Sequence, residues 1–223
     1  MDYEGQVVTR AASTPITINS VLRKTYLLLS LILFFSAVTA YFSMITNAMP
    51  NAFLLIIGMF GLYFWVIKAR NSKWGILAIF VYAGYMGYFL GPVLNYYLHT
   101  YVNGMQLVGT AFGATGTIFL GLSGYALVSR KDFSYLGGFI SIACIIAFVA
   151  AIIGMFTNMP TLQLLISGAF AVISAGFILF ETSQIINGGE RNYIIATVTL
   201  YIAIFNLFVS LLRIFGAFAG VKR

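Results

Sequence analysis

Five acidic residues, twelve basic ones and a single histidine in a chain of 223 leave little from which to build polar chemistry. Charged residues make up only 8% of the sequence, too few to cover the surface of a soluble domain of this length. The single cysteine, Cys144, excludes an intramolecular disulfide, and its place inside "SIACIIAFVAAIIG" reads as a small core residue. His99 stands in the polar link "HTYVNG" with no partner at ligand spacing, so no metal site is expected. The sequence shows no nucleophile with its base and no phosphate loop, and it lacks the paired aspartates or Ser and His that intramembrane proteolysis would need. We therefore expect neither an enzyme nor a cofactor.

What is abundant is apolar: 61% of the residues are hydrophobic and the mean hydropathy is +0.98. An excess of this size must face lipid. A hydrocarbon core of ~30 Å needs roughly 20 apolar residues per helix, so the chain holds six or seven spans and no soluble catalytic domain. A β-barrel would alternate apolar and polar residues over ~10-residue segments, whereas these runs are apolar all round. The expected fold is an all-α integral membrane protein, a seven-helix bundle with spans near residues 25–46, 52–67, 74–98, 105–128, 133–156, 162–187 and 192–218. Short links such as "KARNSK", "SRKD" and "TNMP" predict antiparallel neighbours packed as one domain over residues 25–223.

Residues 1–24, "MDYEGQVVTRAASTPITINSVLRK", are polar and read as a flexible tail. They do not form a cleaved signal, because the apolar run after Arg23 and Lys24 exceeds the 7–15 residues of a signal h-region. Arg10, Arg23 and Lys24 precede the first span, Lys68, Arg70 and Lys73 follow the second, Arg130 and Lys131 the fourth, and Arg191 the sixth. The other interhelical links contain no lysine or arginine, which predicts a cytoplasmic N-terminus and, with seven spans, a C-terminus outside. Lys222 and Arg223 oppose that orientation and leave open six spans with a re-entrant last segment. The net charge of +7 is spread along membrane boundaries, so anionic lipid headgroups fit it better than nucleic acid.

Within the spans, Gly109, Gly113, Thr117 and Gly121 recur at intervals of four, a face suited to tight helix packing. The third span carries Gly84, Gly87, Gly91 and Pro92, and the proline predicts a kink near Leu90.

The segments "ILFETSQI" and "LYIAIFNLF" resemble the paired signature of the Bax inhibitor-1, or transmembrane Bax inhibitor motif, family. "FLGPVLN" resembles its third-span motif, and "VLRKTYLLLSLILFFSA", "RKDFSYLGG" and "GGERNYI" are similar to its bacterial members, so the likeness covers almost the whole chain. It implies seven helices with the last buried among the other six. For some bacterial members it also implies a pH-gated calcium leak governed by two aspartates on the final two helices. Glu181 stands at the first aspartate, Ala203 at the second, and Met86 where the third-span motif usually has a glutamate. A coupled carboxylate pair is therefore absent here.

Glu181 has two readings. It either reaches headgroup water or Arg191 near the "NGG" exit, or lies deeper as an ion or proton site, where an ionisable group costs ~2.5–3.5 kcal/mol on insertion scales. Arg213, near the opposite end of the last span, cannot pair with it and is expected to snorkel outward.

For bacterial members the resemblance further implies residence in the inner membrane. There it implies a role as both slow substrate and modulator of the membrane AAA protease FtsH, with its partners HflK and HflC. In that reading Met1, Asp2, Tyr3, Glu4, Gly5 and Arg10 belong to the tail that the protease engages. The alternatives are a proton- or calcium-linked leak through Glu181 and a scaffold that joins complexes without regulating them.

Overall fold

The computed structural model describes residues 15–48, 51–157 and 159–219. Hydrocarbon offers no hydrogen bonds, so a spanning backbone must pair within itself. Seven helices do so: α1 (Pro15–Ile45), α2 (Ala52–Ala69), α3 (Trp74–Thr100), α4 (Gly104–Ser129), α5 (Leu136–Phe156), α6 (Pro160–Ile186) and α7 (Tyr193–Phe218). No strand occurs among the described residues. Six of the helices are long and apolar enough to cross a membrane, and α2, apolar from Phe53 to Ala69, sits at the short end of the spanning range of ~17–25 residues. The chain is a multi-pass, all-α membrane protein.

The expected spans match these helices to within a few residues except at the start. α1 begins at Pro15, so residues 15–24, placed in the tail by the sequence reading, form its first turns, and its apolar span opens at Ser20. A proline is well suited to a first helical turn, where its missing N–H has no intrahelical acceptor to lose. Met1, Asp2, Tyr3, Glu4, Gly5 and Arg10, like Lys222 and Arg223, lie outside the described residues.

Helix ends obey local chemistry. Asn51 and Asn192 accept hydrogen bonds from the first free amides of α2 and α7. Gly188, with φ of 74°, turns the chain out of α6, where an L side chain would be strained. Arg130 adopts the same left-handed region at the end of α4, and its amide bonds to the Ala126 carbonyl.

α7 is the centre of the bundle. It packs against α1, α2, α3, α4 and α6, and 50% of its apolar window is buried, against 11% for α5, which packs mainly on α6 and meets α2 through the Phe148 and Phe60 rings. Leu200, Tyr201, Leu207 and Leu212 are among its fully buried side chains. Phe34, Phe112, Val128 and Phe139 are among the large apolar side chains that face outward, as lipid requires.

Sequence neighbours are not always neighbours in space. α1 packs on α3 rather than α2, and α4 packs on α3, α6 and α7 rather than on α5. The α1–α3 pair is parallel, since Ser36 faces Gly87, Ser43 faces Gly91, and Met44 and Asn47 face Asn95, numbers that rise together along both helices. Glycines set the separation: a Cβ on Gly87 would overlap the Ser36 carbonyl, and one on Gly91 would lie 2.6 Å from Ser43 Cβ and 2.8 Å from the Ala40 carbonyl. α3 continues as one helix through Pro92. The proline leaves the Tyr88 carbonyl without its usual amide, and Ser43 Oγ donates to that carbonyl at 2.6 Å.

The small-residue face of α4 corrects an expectation. Gly109, Gly113, Thr117 and Gly121 are exposed or half-buried, and a Cβ added at any of the three glycines would meet nothing within 4 Å. Close packing instead uses the α3 glycines. The two sets differ in what lies opposite, which spacing alone does not encode.

Two substitutions separate these roles. Leu207→Ala, at the centre of α7, is expected to destabilise the bundle by about 2 kcal/mol, the low end for core truncation because lipid replaces water as solvent. Gly113→Val is expected to leave stability within about 0.5 kcal/mol, both measured by SDS titration of the purified protein in mixed micelles.

Candidate functional site

Among the described residues the lysines and arginines other than Arg213 lie at the start of α1, the end of α2 and the α2–α3 loop, the α4–α5 loop and the α6–α7 loop, and the candidate site sits just inside this basic end. Glu181 precedes the last residue of α6 by five positions, about 7.5 Å of helix rise. Its neighbours on the same stripe, Ile178 and Ile185, are fully buried, and Glu181 itself is 6% exposed. The side chain is thus enclosed by the helices around it. Its Oε1 has no hydrogen-bond partner in the protein, so no hydrogen bond from Arg191 reaches that atom. Arg191 Nε donates to the Gly188 carbonyl.

Other oxygens lie at the same depth. Thr25 comes five residues after the start of the α1 span, and Thr25 Oγ1 and Tyr26 OH are likewise buried without a partner. The Tyr26 ring lies 6.0 Å from Phe119 of α4, and Thr197 Oγ1 donates to Tyr193 O at 2.6 Å while lying 3.4 Å from Thr25 O. Ser123 and Thr182 share a hydrogen bond at 3.3 Å between α4 and α6. Tyr63 of α2 and Glu190 of the α6–α7 loop are within electrostatic reach of the Glu181 carboxyl. An unpartnered buried carboxylate is costly, so this polar layer is chemically suited to hold a proton, a water or a cation. Thr25, Tyr26 and Tyr63 carry no motif. Only their position one or two turns inside a helix end, matched to that of Glu181, could have pointed to them.

The other family acid positions line the same apolar core without adding charge. Met86 and Ala203, 6% and 4% exposed, pack with Tyr82, Ile178, Tyr201 and Leu207. In place of acids there is a hydroxyl relay: Tyr201 OH donates to Ala83 O at 3.2 Å, which leaves Ser36 Oγ to donate to Tyr201 at 2.7 Å. Arg213 is exposed near the far end of α7. His99 is exposed in the last turn of α3, Cys144 is half-buried on α5, and among the described residues no three His, Cys, Asp or Glu side chains gather as metal ligands. A groove of about 660 Å³ between α5 and α6 is lined by side chains such as Ile142, Ile146, Leu165 and Val172, with no titratable group.

A strap closes over the end of α6. Phe133, in the α4–α5 loop, is buried, and its amide donates to Ser183 Oγ at 3.0 Å while Ser183 donates to Lys131 O at 3.1 Å. Gln184 Nε2 donates to Ser134 Oγ, and Asp132 Oδ1 accepts from the Ser134 hydroxyl at 2.5 Å and its amide at 2.8 Å. Those two bonds, the hydroxyl foremost, hold the Asp132 carboxyl below the ordinary aspartate range.

Against this geometry, residues 18–220 match the family model described as inhibitor of apoptosis-promoting Bax1. The chain belongs to the Bax inhibitor-1 family. It is 45% identical over 199 residues to the Escherichia coli protein described as modulator of FtsH protease YccA, covering 89% of this chain and 90% of that one. A Pseudomonas aeruginosa protein is 47% identical over 204 residues, 91% of each chain, and a Vibrio cholerae membrane protein is 43% identical over 212 residues, 93% of this chain and 95% of the other. This Bax inhibitor-1 chain has seven helices and carries a glutamate, an alanine and a methionine at positions 181, 203 and 86.

Two measurements check the strap. Ser183→Ala removes the acceptor of the Phe133 amide and is expected to raise hydrogen exchange at that amide about tenfold, the equivalent of one buried hydrogen bond. A carboxylate held low stabilises its surroundings above the ordinary pKa and loses that contribution as pH falls through the lowered value, here below about pH 4. NMR titration is expected to show Asp132 below the ordinary range and Ser134→Ala returning it there.

Proposed function

We propose that this protein is a modulator and slow substrate of a membrane-anchored AAA protease of the FtsH kind, and not an enzyme itself. The observation that carries the reading is 45% identity, across nearly the whole chain, to a protein described as a modulator of FtsH protease. The polar leading segment, including Met1, Asp2, Tyr3, Glu4, Gly5 and Arg10, is the handle, since a chain with few apolar side chains threads an ATPase pore readily. The spans beyond the handle resist. Each Leu, Ile, Phe or Val favours insertion by ~0.3–0.6 kcal/mol, so every span opposes removal by several kcal/mol. A protease holding such a chain is occupied, and its action on other membrane proteins slows. HflK and HflC, as companions of that protease, meet the same complex.

This function needs the basic end in the cytoplasm. Lysines and arginines at the start of α1 and after α2, α4 and α6 support that orientation, with the far end of α7 in the periplasm.

The test is deletion of residues 1–14, which stops short of α1. Turnover by the protease in membranes is expected to fall at least fivefold, and the full chain in excess is expected to lengthen the half-life of a second membrane substrate. Unchanged turnover would count against the handle, and binding without any effect on the second substrate would leave only a scaffold.

A second reading comes from the buried, unpartnered Oε1 of Glu181: a proton- or calcium-linked leak. Purified protein in liposomes would then pass calcium in a pH-dependent way that Glu181→Gln alters. Absence of flux in both proteins would remove it.

A further inference from the structure

A chain dragged out of a membrane from its N-terminus must give up α1 first, so the contacts of α1 set the first barrier. Those contacts concentrate on α3 and α7. Ser43 Oγ donates to Tyr88 O at 2.6 Å, Asn95 Nδ2 donates to Met44 O at 2.8 Å, and Ser36 Oγ bonds to Tyr201 OH at 2.7 Å. Ser36 and Ser43 are buried, and between them the backbone of α1 lies in the groove left by Gly87 and Gly91.

The direction of load decides what such a set of contacts can do. α1 and α3 run parallel, and a pull on the start of α1 acts along their common axis. Contacts perpendicular to that axis are then loaded in shear: all share the force and must fail together, whereas a sideways pull would peel them one at a time. Sliding by one helical turn, ~5.4 Å, also separates every donor from its acceptor at once. In hydrocarbon the released Tyr88 carbonyl finds neither water nor its own amide, because residue 92 is proline.

We propose that the parallel α1–α3 seam, built by Ser36, Ser43, Gly87, Gly91 and Asn95, is the mechanical stop that makes the chain resist extraction from its N-terminal end. The inference rests on the reading of this protein as a substrate gripped at that end, and it names the part of the fold that stalls the grip. Ser43 and Ser36 are positioning residues: they hold α1 in register and touch no partner.

The test is force spectroscopy on the full chain in a supported bilayer, pulled by its N-terminus without any protease. An interhelical hydrogen bond in a membrane averages ~0.6 kcal/mol, so Ser43→Ala and Ser36→Ala are each expected to speed the first extraction step about threefold at constant force. Ser183→Ala, which weakens the strap between α6 and the α4–α5 loop, is expected to leave that step unchanged. Pulling from the C-terminus should show no effect of Ser43→Ala on the first step. The seam is overturned if neither α1 variant accelerates N-terminal extraction, or if Ser183→Ala accelerates it equally, since global stability would then be the determinant. A parallel assay with the protease in membranes should show Ser43→Ala degraded faster by a similar factor. If the wild-type chain is not degraded there at all, the substrate reading fails, while the pulling result still decides the seam.

Discussion

Inside a bilayer, two helices gain no hydrophobic energy by meeting, because a lipid tail is as apolar as a leucine. A bundle in that solvent depends on close backbone approach and on finding a partner for every polar group that cannot reach water. This constraint organises the structure. It puts α7 at the centre, where five other helices touch it, and draws α1 onto the glycines of α3 rather than onto its sequence neighbour α2. It also explains why a proline can stand inside α3: the carbonyl it abandons belongs to Tyr88, and the helix one groove away supplies the Ser43 hydroxyl.

The same constraint bears on positions 86, 181 and 203, to which the resemblance alone would assign acids. Met86 and Ala203 fill the core with uncharged atoms, and nearby polarity is met by the Ser36, Tyr201 and Ala83 relay, in which each hydroxyl proton has an acceptor. Such a core offers no carboxylate of its own, and among the described acids it is Glu190 of the α6–α7 loop that comes within electrostatic reach of Glu181. A fully satisfied hydroxyl relay favours one arrangement over several. Glu181 is the exception, buried at the basic end beneath the strap that Ser183 holds over α6.

Hydropathy locates six of the seven helices to within a few residues at both ends, because the length of an apolar run is fixed by the bilayer and little else. The start of α1 escapes it because Ile16, Ile18 and Val21 are interrupted by Thr and Asn, a mixed stretch that reads as tail but still turns as helix. Lateral arrangement is not legible. Glycines at intervals of four occur on α4 and glycines at three and four on α3, yet only the α3 set meets another helix. Lipid and protein are alike apolar, so a small-residue face carries no label for which of them it adjoins. Glu181 is legible as an anomaly but its depth is not, since a side chain five residues from a helix end can turn either way. Its direction is set by Ile178 and Ile185 on the same stripe, and their burial depends on the packing of α7.

The two ends of the bundle therefore differ in kind. At the basic end, Thr25, Tyr26 and Glu181 each leave a buried oxygen without a protein partner, and the layer between the helices is polar. Toward the other end, α1 is interlocked with α3 from Ser36 to Asn47, and Tyr97 and Tyr101 stack beside α7 with ring centroids 5.6 Å apart. A force entering at the start of α1 would load these contacts together, from Leu29 and Ile32 in the main core to the seam with α3, because all of them lie across the same axis. On the proposed reading, ordinary helix packing loaded along its own axis is what would keep a gripped chain in the protease.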